Sequence, residues 1–536
     1  MLINKRVTYC ILAFGISFSL LLRYNKLIEV GHEDGTDSWD YHQLVAQISN
    51  SGKINWLINF FSIFGFYPPS QEMGVVTFTS CLYVATGLNL EQSIFLESFI
   101  IGTSSIFFGY ILGLKITKNN LTALCFAFFF CFSPKIFANT SIGISIRDFF
   151  SIYLLICHYF FLRLLSDSNA KNLVLFLSTF FILLTIHRFS VLLIFLVITL
   201  LLSFAISYYR KNYLGSKPIN FTNKMRASYF LALFLIVFIS HNSADFYSIF
   251  SPSANYNLSL NFFEALIVVI KAYSYIIGIP IIFAPLGFLV LTSKTKIHDN
   301  DVFLLLSVQI LSFLIFDTTY LIYFSLYIIC FFSAFGFNHL IRIFTVHKSQ
   351  FIAVSLLFVF VITSALAPFF VGGPKVFVEG YKSEDRWETG HYIKSNMEND
   401  DKLLTGYGIS TSSINGISER PFWRDREIEI YESLIVEEIS LDSFISSRAL
   451  YDMAIDYDPR QEYLTQNEID SVYVQNRIGV HSLYYILNTN YNELSYKSPL
   501  ESDTKVEPEI NILVNSFNNE RYVIYESNNH SLIFVQ

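Results

Sequence analysis

The segment Met73–Leu88, MGVVTFTSCLYVATGL, decides how the chain is threaded. It is apolar enough to enter a bilayer and barely long enough to cross one. If it crosses, Arg210, Lys211, Lys217, Lys224 and Arg226 fall on the face opposite Lys5 and Arg6. If it does not, every basic loop shares one face: Lys5 and Arg6, Lys115 and Lys118, Lys171, the 210–226 cluster, Lys294 and Lys296, then Arg342 and Lys348. Lys and Arg gather in cytoplasmic loops, so the second threading is the expected one. Met73–Leu88 then lies in or partly in the outer leaflet, the N-terminus is cytoplasmic, and everything after Gly372 is outside.

The composition is that of a chain built for a membrane. Of 536 residues 53% are hydrophobic and 15% charged, with 56 Phe and 33 Tyr, far from the balance of a soluble domain. Apolar runs near 7–22, 92–114, 119–134, 147–165, 172–187, 189–208, 227–242, 265–292, 301–316, 318–340 and 350–370 make about eleven spans. Lys5 and Arg6 precede the first run, but no small-residue cleavage site follows it, so it reads as a retained span rather than a signal peptide. The formal charge of -7 sums over compartments that a bilayer separates. Basic residues scattered over short loops give no footprint for nucleic acid. Cys10, Cys81, Cys125, Cys131, Cys157 and Cys330 all lie in apolar segments, with no zinc or disulfide spacing.

The expected architecture is therefore a polytopic α-helical membrane protein with a C-terminal extracytoplasmic mixed α/β domain. The first part, 1–370, carries an acidic first outer loop at 25–91. The second, 371–536, has shorter apolar runs and frequent turn residues. Within it WETGHYIKSNM suits a helix, and DKLLTGYG and IDSVYVQ suit strands. RYVIYESNNHSLIFVQ suits a closing hairpin that turns at Asn528 and Asn529.

Ionisable residues concentrate in the first outer loop. GHEDGTDSWDYH, Gly31–His42, holds Glu33, Asp34, Asp37 and Asp40 together with His32 and His42. From Asp37 the pattern is helical: Thr36, Asp37 and Ser38 are good N-caps, and Tyr41, Leu44, Val45 and Ile48 form an apolar stripe. A single Asp in a first helical turn needs no function, but one cap does not account for four acids and two histidines between two membrane segments. A second polar stretch, SPKIFANTSIGISIRDFF at Ser133–Phe150, ends in Arg147 and Asp148 at the mouth of a span. Arg147 serves either as an interfacial anchor or as a fork for an anionic group. A third, TIHRFS at Thr185–Ser190, offers His187 and Arg188 for a phosphate, or simply as residues of a tight helical turn. Asp317 is the charge of the outer turn near 317. Glu264 and Lys271 share a helix face, which suits a structural pair as well as a lipid-phosphate contact.

The order of these pieces resembles the GT-C superfamily of integral-membrane glycosyltransferases: a first span, an acidic outer loop with a surface helix, a proline-containing FGFYPPS, about eleven spans and an outer C-terminal domain. DSWDYH is similar to the Asp-Pro-aromatic motif of oligosaccharyltransferase catalytic subunits, with Ser38 in place of the Pro. SPKIFANTSIGISIRD is similar to their second acidic loop, with Ile146 where the first acid of a pair stands and Asp148 as the second. A Trp-Trp-Asp acceptor motif is not found. Tyr67–Pro69 resembles the proline pair of protein mannosyltransferase and aminoarabinose transferase groups.

The resemblance implies an enzyme of the plasma membrane that takes a sugar from a polyprenyl-phosphate or polyprenyl-diphosphate lipid and passes it to an acceptor glycan, lipid or protein outside. On that reading Asp37, then Asp34, is the catalytic carboxylate. Arg147, Arg188 and His187 face the donor phosphate, and Asp37 and Asp148 are the oxygen ligands if Mg2+ or Mn2+ is used. Glu33, Asp40, His42, Asp317 and Lys271 take secondary places. Two alternatives stand beside it: transfer of a whole glycan to protein Asn or to another glycan, and a lipid-linked-glycan transporter or flippase. A transporter places paired ionisable groups at mid-bilayer and shows repeat symmetry. Here most ionisable residues sit at the outer ends of spans, with His158 the main exception.

Overall fold

The computed structural model describes residues 5–30, 33, 36–52, 73–141, 143–187, 193–213, 215, 217–242, 261–316 and 322–344, and beyond them 359, 391, 394–395, 402–406, 417, 422–425, 483–488, 521–526 and 530–535. The first part is a helical bundle. Its helices are α1 Lys5–Val30, α2 Thr36–Ser51, α3 Met73–Thr86, α4 Leu90–Thr117, α5 Asn120–Cys131, α6 Pro134–Asn139, α7 Ile146–Ser166, α8 Ala170–Ile186, α9 Leu193–Tyr213, α10 Asn223–Asn242, α11 Phe262–Ile277, α12 Ala284–Ser293, α13 Asp299–Leu311 and α14 Ile322–Phe344. Five of the described helical segments are long and apolar enough to cross a membrane: Lys5–Ile28, Leu90–Thr117, Ile146–Ser166, Asn223–His241 and Ser325–Ile343. The chain is a membrane protein.

Asparagine starts many of these helices. Asn89, Asn119, Asn169 and Asn261 each accept a hydrogen bond from the backbone N–H three residues on, at 2.8, 3.1, 2.8 and 3.0 Å. Such caps satisfy donors that the helix itself leaves open. At Asn261 the N3 residue is Glu264, whose carboxylate accepts from the Asn261 N–H at 3.2 Å and completes a capping box. Glu264 is thus committed to its helix start, and it forms no ion pair with Lys271 among the described residues.

The bundle is tightest where small residues face each other. Cβ atoms placed on Gly109 and Gly113 of α4 would meet the Cα atoms of Ala127 and Ala123 of α5 at 2.9 and 3.0 Å. The two helices thus meet through paired small-xxx-small faces, a common device in membrane proteins. Behind that contact α5 is buried from Leu121 to Cys131, with Phe126, Phe128, Phe129 and Phe130 filling the core. α12 and α14 cross just as closely. A Cβ on Gly287 would lie 1.9 Å from the Phe332 carbonyl oxygen, and one on Gly336 2.2 Å from that of Phe283.

Two expected elements take a different form. The run 265–292 is not one helix: Gly278 adopts φ 76, Pro280 and Pro285 withhold backbone donors, and a 3-10 turn at Ile279–Phe283 separates α11 from α12. The first helix does not stop at Leu22 but continues to Val30, which places Arg23 inside it. The expected span at 350–370 lies outside the described residues apart from Val359.

Met73–Leu88 forms α3, 14 residues long. At 1.5 Å per residue it reaches about 21 Å, short of a hydrocarbon core of about 30 Å. Val75, Val76, Thr79 and Ser80 are buried, and Gly74 abuts Thr185 near the C-terminal end of α8, where a Cβ would meet the hydroxyl at 2.6 Å.

The basic segments gather at one end of the bundle. Lys211 donates to the Leu165 carbonyl at 2.6 Å, Arg210 to Asp299 at 2.8 Å, Arg226 to the Ser293 carbonyl at 2.8 Å, and Asn300 to the Lys115 carbonyl at 3.1 Å. Lys294 pairs with Asp301 at 2.7 Å. A two-residue ribbon, β1 Ile219–Asn220 against β2 Lys296–Ile297, ties the same segments together. Either threading of Met73–Leu88 keeps these segments together, since all of them follow it in the chain.

In the C-terminal part the described residues form a five-stranded sheet of β3 Lys402–Gly406, β4 Phe422–Asp425, β5 Leu483–Asn488, β6 Arg521–Glu526 and β7 His530–Val535, in the order β4-β3-β5-β7-β6. β4, β3 and β5 run parallel, and β7 is antiparallel to both β5 and β6. The expected strand in 401–408 is β3. The expected hairpin is β6–β7, with Tyr522 opposite Phe534 and Glu526 opposite Ser531. Of WETGHYIKSNM only 391 and 394–395 are described, all helical, and IDSVYVQ lies outside the described residues.

Candidate functional site

At the end of the bundle opposite the basic segments, the acidic first loop meets the second polar loop. Glu33 is fully buried. Its carboxylate accepts from the Ser38 hydroxyl and is bonded to His42 Nδ1 at 2.7 Å, while its own N–H donates to Glu91 at 2.7 Å. Burial holds the Glu33 carboxyl above its ordinary range, against the opposing pull of His42 and Ser38. Ser38 also accepts from the Ile144 N–H at 2.7 Å, which joins α2 to the loop before α7. The Trp39 ring is buried against His42, with centroids 5.2 Å apart. Glu33 and His42 are thus framework residues rather than solvated charges.

The second loop is gripped from other sides. Ser98 of α4 donates to the Gly143 carbonyl at 2.6 Å. Arg23 of α1 is fully buried: its Nε donates to the Thr140 carbonyl at 3.0 Å, Nη2 to the Thr140 hydroxyl at 2.9 Å and Nη1 to the Ser19 hydroxyl, and the guanidinium lies 5.0 Å from the Phe137 ring centre. Gly102 leaves the room for it, since a Cβ there would sit 2.4 Å from Nε. None of its hydrogen-bond partners among the described residues is a carboxylate; neutral acceptors and an aromatic face hold the charge.

Asp148, in the first turn of α7, is buried and accepts from Asn139 Nδ2 at 2.6 Å and from the Ser145 hydroxyl through one oxygen. Its other oxygen, Oδ1, is buried without a hydrogen-bond partner among the described residues. Arg147 is half-buried beside it, and the Tyr323 hydroxyl of α14 contacts both Arg147 and Asn139. His187 follows the end of α8, buried with its ring 6.3 Å from that of Phe150.

The structure brings Glu33, His42, Arg147, Asp148 and His187 to one end. Asp37 stands in the first turn of α2 and Asp40 one turn on, their side chains outside the described residues, as are Asp34, Arg188 and Asp317 altogether. Lys271 is exposed on α11. Sequence reasoning missed Arg23, Asn139 and Tyr323, and gave Ser38 only as an N-cap and as the residue in place of the motif's Pro. Arg23 had a signal in the apolar Leu27 and Ile28 beyond it; Tyr323 and Asn139 had none, because only the packing of α14 and α6 on α7 gives them a role. For a metal, the unpartnered Asp148 oxygen is a fitting donor, while no group of three His, Cys, Asp or Glu converges among the described residues.

No family model matches the chain, and no curated protein sequence does. Solved structures do match in shape. The Archaeoglobus fulgidus oligosaccharyltransferase, tethered to an acceptor peptide containing the NVT sequon, aligns with 91% of this chain and 70% of its own at 11% identity and TM-score 0.55. ArnT from Cupriavidus metallidurans bound to undecaprenyl phosphate aligns over 98% of both chains at 10% identity and TM-score 0.50. The chain shares the fold of these two proteins. The archaeal enzyme AglB in complex with an inhibitory peptide and a dolichol-phosphate aligns with 91% of this chain and 71% of its own, at 11% identity and TM-score 0.52. The likeness in fold covers nearly the whole chain.

Proposed function

We propose that the chain is a GT-C-type glycosyltransferase that moves a sugar from a polyprenyl-phosphate or polyprenyl-diphosphate lipid to an acceptor glycan, lipid or protein on the extracytoplasmic side. The observation that carries the reading is the Ile144-to-Ser38 hydrogen bond, which joins the residue after Asp37 to the loop that leads to Asp148 within this fold. The N-terminus and basic segments are then cytoplasmic, and 371–536 is an extracytoplasmic domain beside the acceptor.

Asp37, with Asp34 as the second choice, takes the proton of the acceptor hydroxyl. The acceptor oxygen forms a bond to the anomeric carbon as the bond from that carbon to the phosphate oxygen breaks. The electron pair leaves on the lipid phosphate, and attack from the opposite face inverts the anomeric centre. Arg147, Arg188 and His187 oppose the growing phosphate charge, which favours the transition state over the ground state. A Mg2+ or Mn2+ ion held by Asp37 and Asp148 would add positive charge at the leaving phosphate. Glu33 and His42 support the loop that carries these acids.

The test is purified protein in proteoliposomes with labelled polyprenyl-phosphate sugars and a mixed glycan, lipid and peptide acceptor pool. Protein-dependent release of free polyprenyl phosphate with label on an acceptor is the expected result. Label that crosses the bilayer still attached to its lipid would replace the enzyme with a flippase.

A further inference from the structure

Ser38 occupies a position that the proposed chemistry does not use, yet it is among the most committed side chains at this end of the bundle. It is 1% exposed. Its oxygen accepts the Ile144 N–H at 2.7 Å, its hydroxyl donates to one oxygen of Glu33, and the other Glu33 oxygen is bonded to His42 Nδ1 at 2.7 Å. The Glu33 backbone N–H is bonded in turn to Glu91 of α4. A continuous chain of donors therefore runs from the second loop through α2 to α4. At the buried Ser38 hydroxyl, the bond accepted from Ile144 polarises the one donated to Glu33.

We infer that the Ile144–Ser38–Glu33 bridge is a positioning device that sets the second loop against the first turn of α2, and so Asp148 against Asp37. The inference rests on the glycosyltransferase reading for its effect on turnover. The spacing supports it: Ser38 directly follows Asp37, and Ile144 precedes Asp148 by four residues, so little slack separates the bond from either acid. Two other grips on the loop, Arg23 on Thr140 and Ser98 on Gly143, come from α1 and α4. The Ser38 hydroxyl joins the loop to the helix that carries Asp37. Ser38 is thus a positioning residue, without contact to substrate.

Ser38→Ala leaves the Ile144 N–H and one Glu33 oxygen buried and unpaired, whereas Ser38→Thr keeps the hydroxyl. In proteoliposomes Ser38→Ala is expected to lower kcat about tenfold with KM for a polyprenyl-phosphate sugar unchanged, and Ser38→Thr to restore kcat. Amide hydrogen exchange at Ile144 is expected to speed about tenfold in Ser38→Ala alone, with exchange in α5 as in wild type. A kcat loss matched by a loss of folded protein, a change confined to KM, or an Ile144 amide that exchanges as in wild type would each overturn the bridge. If wild type transfers no sugar, the glycosyltransferase reading falls, and the Ile144 exchange rate decides the bridge by itself.

Discussion

At Glu33 burial and hydrogen bonding act in opposite directions, and burial wins. The carboxyl is held above its ordinary value of 4.5 because desolvation outweighs the contacts with His42 and Ser38. The consequence for stability has a definite sign. The folded state holds this proton more tightly than the unfolded state, so the contribution is complete below 4.5 and is lost as pH rises through the raised folded-state value. Thermal unfolding of wild type and Glu33→Gln in detergent should show it: the wild-type midpoint falls relative to the variant as pH rises from 4.5 toward neutrality, and a constant difference would refute it. The same residue shows what a sequence can and cannot say. Four acids and two histidines in twelve residues announce a site, but not which acid is buried. That depends on α4 supplying Glu91 and the second loop supplying Ile144, both distant in the chain. Arg23 is the converse case, a charge with no local hint of the Thr140 contacts that hold it.

Helices are legible where caps and apolar runs coincide, as at Asn89, Asn119 and Asn169, and less so where backbone geometry intervenes. The break at Gly278 was written in the sequence as Gly-Ile-Pro, but mean apolarity over 265–292 hides it. Close helix crossings are harder still to foresee, since glycine in an apolar run has no partner until the fold supplies one. Gly287 and Gly336 are the clearest instance, each lying against the backbone of the other helix. Because carbonyl oxygens of packed helices have little room to move, Gly287→Ala or Gly336→Ala should destabilise the bundle by about 3 kcal/mol. In contrast Gly52→Ala, with nothing within 4 Å and φ 62, should show only the smaller strain of a left-handed backbone, about 1 kcal/mol. Midpoints of thermal unfolding in one detergent distinguish the two classes, and equal losses would contradict the packing argument.

Across the whole molecule, the described polar contacts divide between two ends of the bundle. Basic segments from 115 to 301 are tied together at one end, and the acidic loop, Asp148 and His187 lie at the other. The expectation that Lys and Arg share one face came from the way a bilayer sorts them by side, a constraint that soluble folds lack. The five-stranded sheet was only partly readable, since the hairpin at its edge is local while the pairing of β3 with β5 joins residues far apart in the chain. The proposed function turns on Asp37, whose neighbour Ser38 is bonded to the second polar loop. The decisive measurement is transfer of labelled sugar from a polyprenyl-phosphate donor by wild type and Asp37→Asn at matched folded amounts in proteoliposomes. The expected result is transfer by wild type and a loss of about a hundredfold or more in the variant. Equal transfer by the two proteins would contradict the assignment of Asp37 and the site built around it.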